Sequence, residues 1–109
     1  MSITLPPAVQ DFFDGKNARN LPLALSGFSS DPIVKDEHHE YIGPDAIAEW
    51  LKSSTVQYDD QVTVQGIEAD GTDVVVLGKV SGTFPGSPII LQFRFAIAEG
   101  KILQLAIAT

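Results

Sequence analysis

The spacing of the apolar residues is helical in the first half of the chain and becomes a strand alternation in the second half. Three helices are predicted, and the first and third have apolar residues three and four positions apart. The first begins at Pro6-Pro7 and ends near Gly15, and the second runs from an Asn20 N-cap to Leu25. The third opens at Gly43-Pro44-Asp45 and has a buried stripe formed by Ala46, Ile47, Trp50 and Leu51.

The strand signals lie mainly after residue 60. Two short strands are predicted at residues 33–36 and 39–42, and further strands alternate from Asp60 onward between turns at Asp70-Gly71, 82–88 and Glu99-Gly100. Strand 74–81 is apolar on both faces and is predicted to be central. The strand that follows residue 88 has apolar residues on one face and Gln92 and Arg94 on the other. The apolar residues are Ile89, Leu91, Phe93, Phe95 and Ile97. Helices followed by hairpins predict an α+β fold with an antiparallel sheet.

Composition narrows the class of protein. The 109 residues fit one domain, 1–109, and the absence of cysteine excludes disulfides, thiolate catalysis and cysteine-bound metals. A net charge of −7 argues against a nucleic-acid partner. Residues 1–7 lack a signal-peptide pattern and no apolar run approaches a membrane span, so no membrane association and a cytoplasmic location are expected. No phosphate-binding glycine loop or spaced metal motif is present, so no cofactor and no metal are expected.

The order of these elements resembles the superfamily of nuclear transport factor 2, ketosteroid isomerase and SnoaL-like polyketide cyclases. The likeness is carried by Phe12-Phe13, residues 28–36, residues 41–47 with Trp50, Phe93-Arg94-Phe95 and residues 99–102. It implies a cone-shaped curved sheet wrapped around the N-terminal helices, with an apolar pocket at its open end. It also implies a homodimer through the outer sheet face, which here would include Gln92, Arg94 and Ala96.

Asp36 is the leading catalytic candidate. By the resemblance it stands where ketosteroid isomerase has its general base, and a carboxylate in an apolar pocket can shuttle a proton beside a carbonyl. The alternative is that Asp36 only caps the hairpin turn or accepts hydrogen bonds from nearby backbone amides. By the same resemblance, Phe12 replaces the oxyanion tyrosine and Leu91 the protonated aspartic acid, so steroid isomerisation by that mechanism is not expected.

The two adjacent histidines divide between opposite strand faces, so one at most is expected to enter the pocket. His39 is the second catalytic candidate and is otherwise a structural residue, whereas His38 is interpreted as an exposed turn residue. Metal binding by the pair is not expected. Arg94 is predicted to point outward, into a dimer interface or a surface ion pair.

The predicted substrate-binding residues are mainly large and apolar: Phe12, Phe28, Trp50, Tyr58, Leu91 and Phe93. Tyr58 is expected to bring its phenol to the rim of the pocket. Core packing is the alternative interpretation of Phe12, Phe28, Trp50 and Phe93. Three functions remain open at this stage: a small-molecule enzyme of the isomerase, cyclase or hydratase kind, a module that binds an apolar ligand without transforming it, and a dimerising interaction domain.

Overall fold

The computed structural model describes residues 4–109, in which three helices precede or interrupt a single six-stranded sheet. The elements in chain order are α1 (Pro7–Ala18), α2 (Leu21–Leu25), β1 (Phe28–Asp36), β2 (His39–Ile42), α3 (Pro44–Tyr58), β3 (Gln61–Asp70), β4 (Asp73–Ser81), β5 (Ile89–Ala98) and β6 (Lys101–Ala108). This is the predicted α+β fold.

The helices follow their local signals except at the end of α1. Asn20 caps α2 through its side chain, which accepts a hydrogen bond from the Leu23 N–H at 3.2 Å, and Pro44 occupies the first turn of α3. The predicted end of α1 near Gly15 is wrong, because the helix continues to Ala18. Gly15 is instead a packing residue: a Cβ placed there would lie 2.2 Å from the Ala24 backbone nitrogen, so α2 approaches α1 at this point.

The strands lie in the order β2-β1-β6-β5-β4-β3. All neighbouring pairs are antiparallel except β1 and β6, which are parallel. Strand β4 lies between β3 and β5, as its apolar character predicted. Strand β1 begins at Phe28, earlier than predicted, and its register against β6 shifts between Phe28 and Ile33.

One face of the sheet packs against α1 and α3 and forms the core. Phe93 and Phe95 on β5 are almost fully buried, and their rings meet Phe13 edge to face with centroids 5.1 and 5.8 Å apart. The predicted alternation on β5 is therefore confirmed. Phe12 lies beside them, so aromatic rings from α1 fill the concave side of the sheet.

The opposite face of the sheet is outward. Arg94 lies on this face and forms ion pairs with Asp70 at 2.8 Å and Asp73 at 3.1 Å, so its prediction as an outward residue in a surface ion pair is confirmed. Leu77, Ile90 and Leu103 are each about two-fifths exposed on the described surface.

Within residues 4–109, none of the helices combines the length and the apolar character needed to cross a bilayer.

Candidate functional site

A cavity of about 720 Å³ opens between the helices and the concave face of the sheet. This volume lies within the range of small-molecule sites. Its apolar lining comes from α3, the 84–85 turn and the inner strand faces, and includes Trp50, Leu51, Val80, Phe84, Ile89, Leu91, Phe93 and Ile107. Its polar lining comprises Lys16, Asp36, Glu37, His38, Ser54, Tyr58, Asp60 and Thr109.

Asp36 ends β1 at the wall of this cavity. The indole Nε1–H of Trp50, a buried residue of α3, donates a hydrogen bond to Asp36 Oδ2 at 3.0 Å. Burial raises the pKa of the Asp36 carboxyl above its ordinary value; the Trp50 hydrogen bond opposes this rise, and the nearby Glu37 charge adds to it. The result is a partly desolvated carboxylate held in one orientation, which is more basic than an exposed aspartate.

The turn after Asp36 decides which histidine reaches the cavity. Glu37 and His38 both have positive φ, 51° and 64°, as in the two-residue turns that close hairpins of type I′. Asp36 then pairs across the hairpin with His39. Both histidines are exposed. His38 lies in the turn, as predicted, and also borders the cavity. His39, the second catalytic candidate, is not among the lining residues, and its ring centroid lies 6.4 Å from that of Tyr41.

Tyr58 lies at the rim of the cavity, at the end of α3. Its hydroxyl donates a hydrogen bond to Glu37 Oε1 at 3.0 Å, and its ring meets Phe84 edge to face at 5.7 Å. The hydrogen bond to Glu37 is the main cause that raises the pKa of Tyr58, so the phenol keeps its proton. Tyr58 therefore links the hairpin turn to the opposite side of the opening.

The predicted site residues separate into two groups. Asp36, Trp50, Tyr58, Leu91 and Phe93 all line the cavity. Phe12, Phe28 and His39 are not among the lining residues.

Phe12 is a core residue that lies behind Trp50. It is fully buried, and its ring is parallel to the Trp50 indole at a centroid distance of 6.5 Å. Phe28 meets Phe12 edge to face at 5.9 Å. Of their two predicted interpretations, the structure favours packing: these rings support the wall and do not form its surface.

Sequence reasoning missed two charged residues of the cavity, Lys16 and Asp60. Lys16 Nζ and Asp60 Oδ2 are 2.8 Å apart, and both side chains are more than nine-tenths buried. The spacing of both residues along the chain could have identified them. Lys16 lies four residues after Phe12, on the apolar stripe of α1, and Asp60 lies two residues before the inward-facing Val62, on the same side of the strand. Charged residues at core positions are uncommon and mark a site that needs a specific explanation.

In the described part of the chain, no group of three His, Cys, Asp or Glu side chains is arranged to hold a metal ion. The expectation that neither metal nor cofactor is used stays a prediction from the sequence.

Comparison with known proteins identifies relatives of the whole fold. The SnoaL-like domain model matches residues 9–105. A candidate polyketide cyclase from Sinorhizobium meliloti is 32% identical, with a TM-score of 0.92 and 95% of each chain covered. No curated protein matches the chain at a significant level.

Two more distant structures share the fold alone. An NTF2-like protein of unknown function from Cytophaga hutchinsonii is 17% identical, with a TM-score of 0.78, and the match covers 99% of this chain and 91% of the other. A candidate ketosteroid isomerase from Kribbella flavida is 15% identical, with a TM-score of 0.78, and the match covers 94% of this chain and 74% of the other. The family resemblance seen in the sequence is confirmed.

Proposed function

This chain belongs to the SnoaL-like family, and on that premise we propose that it is a cofactor-independent enzyme that moves a proton on a small apolar substrate. Asp36 is the proton shuttle in this proposal, and the reaction is of the isomerase, cyclase or hydratase kind. The observation that carries the proposal is the Asp36 carboxyl on the cavity wall, oriented by the Trp50 indole at 3.0 Å and made more basic by burial. A cytoplasmic location, favoured by the lack of cysteine, belongs to the same proposal.

The chemistry balances without a redox partner. The Asp36 carboxylate removes a proton from a carbon next to a carbonyl group, and the electron pair of that C–H bond moves into the enolate. The protonated carboxyl then returns the proton to a different carbon, which completes an isomerisation. If the carboxyl first trades its proton for a deuteron of the solvent, return of that deuteron to carbon gives exchange. A general base of this kind contributes typically 10²–10⁴-fold to a rate. His39 is left out of this mechanism because it lies outside the cavity.

Proton exchange in D₂O tests the proposal without knowledge of the natural substrate. Apolar aromatic ketones such as α-tetralone are screened for binding through the fluorescence of Trp50, the sole tryptophan. Ligands that bind are then followed by NMR for loss of the protons next to the carbonyl. We expect Asp36→Asn to retain binding and to slow the exchange by at least about 100-fold.

Asp45→Asn is the matched control, because Asp45 is an exposed carboxylate in the first turn of α3. It should exchange protons at the wild-type rate. Equal exchange by wild type and Asp36→Asn would remove Asp36 from the chemistry.

A module that only binds an apolar ligand is the second candidate. It is favoured by the apolar Leu91 on the cavity wall, at the position where the resemblance places the isomerase's protonated aspartic acid. Saturable binding of ketones without any proton exchange would select this candidate over the enzyme.

Homodimerisation through the outer sheet face is a further part of the proposal. Strands β4 and β5 present exposed Leu77 and Ile90 there, beside Gln92 and Arg94. Apolar side chains in such a patch favour association. Light scattering should give a dimer mass for the wild type and a smaller mass for Ile90→Lys, and a monomer mass for the wild type would refute the dimer.

A further inference from the structure

The side of α3 that faces the cavity carries three hydrogen-bonding side chains in one row. Trp50, Ser54 and Tyr58 follow one another at four-residue spacing, so they lie on the same side of the helix, with about 6 Å of axial rise between neighbours. All three line the cavity. The two outer members already have partners on the hairpin, because Trp50 Nε1–H donates to Asp36 Oδ2 and the Tyr58 hydroxyl donates to Glu37 Oε1, each at 3.0 Å.

The middle member, Ser54, has a hydroxyl that is available to a ligand. The side chain is half-buried, and within residues 4–109 its Oγ atom makes no hydrogen bond. Oγ is also not among the polar atoms of this range that are both fully buried and unpaired. The Ser54 hydroxyl is therefore an accessible donor on the cavity wall, between two fixed contacts of α3 with the hairpin.

The proposed proton transfer needs a donor for the substrate oxygen. When Asp36 takes a proton from the carbon next to a carbonyl group, the electron pair of the C–H bond forms the enolate and negative charge develops on the oxygen. A preorganised hydrogen-bond donor at that oxygen typically contributes about 10²–10³-fold to a rate. Phe12 and Leu91, which by the family resemblance stand at the positions of the isomerase's two donors, have no polar side-chain group.

The other polar residues of the lining are less suited to this task. Ionised carboxylates accept hydrogen bonds and cannot donate them. Lys16, whose side chain is more than nine-tenths buried, is held in an ion pair with Asp60 at 2.8 Å, and the Tyr58 hydroxyl already donates to a carboxylate. His38 and Thr109 are exposed, so water competes for their hydrogen bonds. The middle hydroxyl of the α3 row is the half-buried donor that remains.

We propose that Ser54 donates a hydrogen bond to the carbonyl oxygen of the substrate and stabilises the enolate oxygen that forms as Asp36 takes the proton. The Ser54 hydroxyl keeps its own proton throughout, so the proton is exchanged between carbon and Asp36 alone. The Trp50 indole fixes the base at one level of α3, and Ser54 places the donor one helical turn further on. A single helix thus sets the positions of both groups.

This inference rests on the proposed proton transfer and adds the residue that stabilises its intermediate. Ser54→Ala is tested in the D₂O exchange assay with α-tetralone. We expect the exchange rate constant to fall about 100-fold, because the donor acts mainly on the enolate. The Kd for α-tetralone should rise no more than about fivefold, the value of one net hydrogen bond.

Ser53→Ala is the matched control, because Ser53 is the adjacent, exposed serine of α3. It should exchange protons at the wild-type rate. Alanine is favoured over serine inside a helix, so both variants are expected to fold. Ser54→Thr keeps a hydroxyl at the same position and should retain most of the exchange.

A binding measurement reports on Ser54 without any turnover. α-Tetralone and tetralin share a fused ring skeleton, and only α-tetralone has a carbonyl oxygen. Isothermal titration calorimetry gives the Kd of each compound. We expect Ser54→Ala to lower the preference for α-tetralone over tetralin about fivefold, and Ser53→Ala to leave it unchanged.

The outcomes separate this inference from the proposed function. Exchange that is lost in Asp36→Asn but complete in Ser54→Ala would overturn the role of Ser54 and leave the proton transfer in place. Equal losses in Ser53→Ala and Ser54→Ala would also overturn it, because they would reflect damage to the helix. Absence of exchange in the wild type would overturn the proton transfer itself. In that case an unchanged preference for α-tetralone in Ser54→Ala would overturn carbonyl binding by Ser54 as well.

Discussion

Replacement of Gly15 by alanine is expected to destabilise the protein, although the intrinsic helix preference predicts the opposite. Gly15 lies inside α1, where alanine is favoured over glycine by about 1 kcal/mol. A Cβ at this position would lie 2.2 Å from the Ala24 backbone nitrogen and 2.6 Å from its Cα, whereas ordinary contact begins at 3.4 Å. Helices α1 and α2 would therefore have to separate by roughly 1 Å in a close-packed region.

The magnitude follows from the atoms that clash. Overpacking of a core costs typically about 1–3 kcal/mol, and the upper part of that range applies because the neighbours at Ala24 are backbone atoms. After the helix preference is subtracted, a net loss of about 1–2 kcal/mol remains. For a domain of this size each kcal/mol lowers the Tm by about 4–8 °C. Thermal unfolding followed by circular dichroism should therefore give a Tm about 5–15 °C lower, and urea unfolding an earlier midpoint.

Two variants sharpen the test. Ala18→Gly makes the reverse change at an exposed position at the end of α1 and reports the helix preference without the clash. Gly15→Ala/Ala24→Gly removes the Ala24 side chain and should not restore stability, because the nearest atoms belong to the backbone. A Gly15→Ala protein as stable as the wild type would refute the close approach of α1 and α2.

Three more changes test the surroundings of the cavity. Ionisation of the Asp36 carboxyl weakens the folded state, so Asp36→Asn should gain stability relative to the wild type as the pH rises from about 4 through the raised pKa of Asp36. Urea unfolding at several pH values measures the difference in free energy of unfolding between the two proteins. A difference that does not change with pH would contradict this prediction. Asn17→Ala removes both hydrogen bonds to the Val62 backbone and should cost about 1–3 kcal/mol in urea unfolding, whereas an unchanged midpoint would show that water replaces them. Glu37→Asn/His38→Gly installs residues suited to positive φ but removes the exposed Tyr58–Glu37 hydrogen bond, so the free energy of unfolding should rise by a net of about 1 kcal/mol. Urea unfolding measures this, and an equal or lower midpoint would contradict the turn geometry.

Short sequence patterns correctly predicted the helix starts and strand faces that are set by residues close together in the chain. Gly43-Pro44-Asp45 starts α3, and the alternation on β5 fixes which side chains face the core, because both depend on φ/ψ preferences and side-chain period. The family resemblance extended these signals to the fold, and most predicted cavity residues do line the cavity.

Bulges show where the alternation by itself fails. Ile97 pairs with Ile102 and Ala96 with Gln104, so Leu103 is an extra residue in β6 and its presence resets the parity of the strand. Ile102 and Leu105 are both fully buried as a result, although they are three positions apart. Such a shift depends on how the sheet bends against its neighbours, which a period of two does not encode.

The sequence by itself determined the fold class, the family, most helix and strand positions and the candidate base Asp36, because these depend on local pattern or on a shared order of elements. The tertiary structure decided the Asp36–Trp50 hydrogen bond, the position of His38 at the cavity and the pairing of Lys16 with Asp60. Each of these depends on distances between separate elements. Those distances are fixed by sheet curvature and helix packing, and residue preferences along the chain do not specify them.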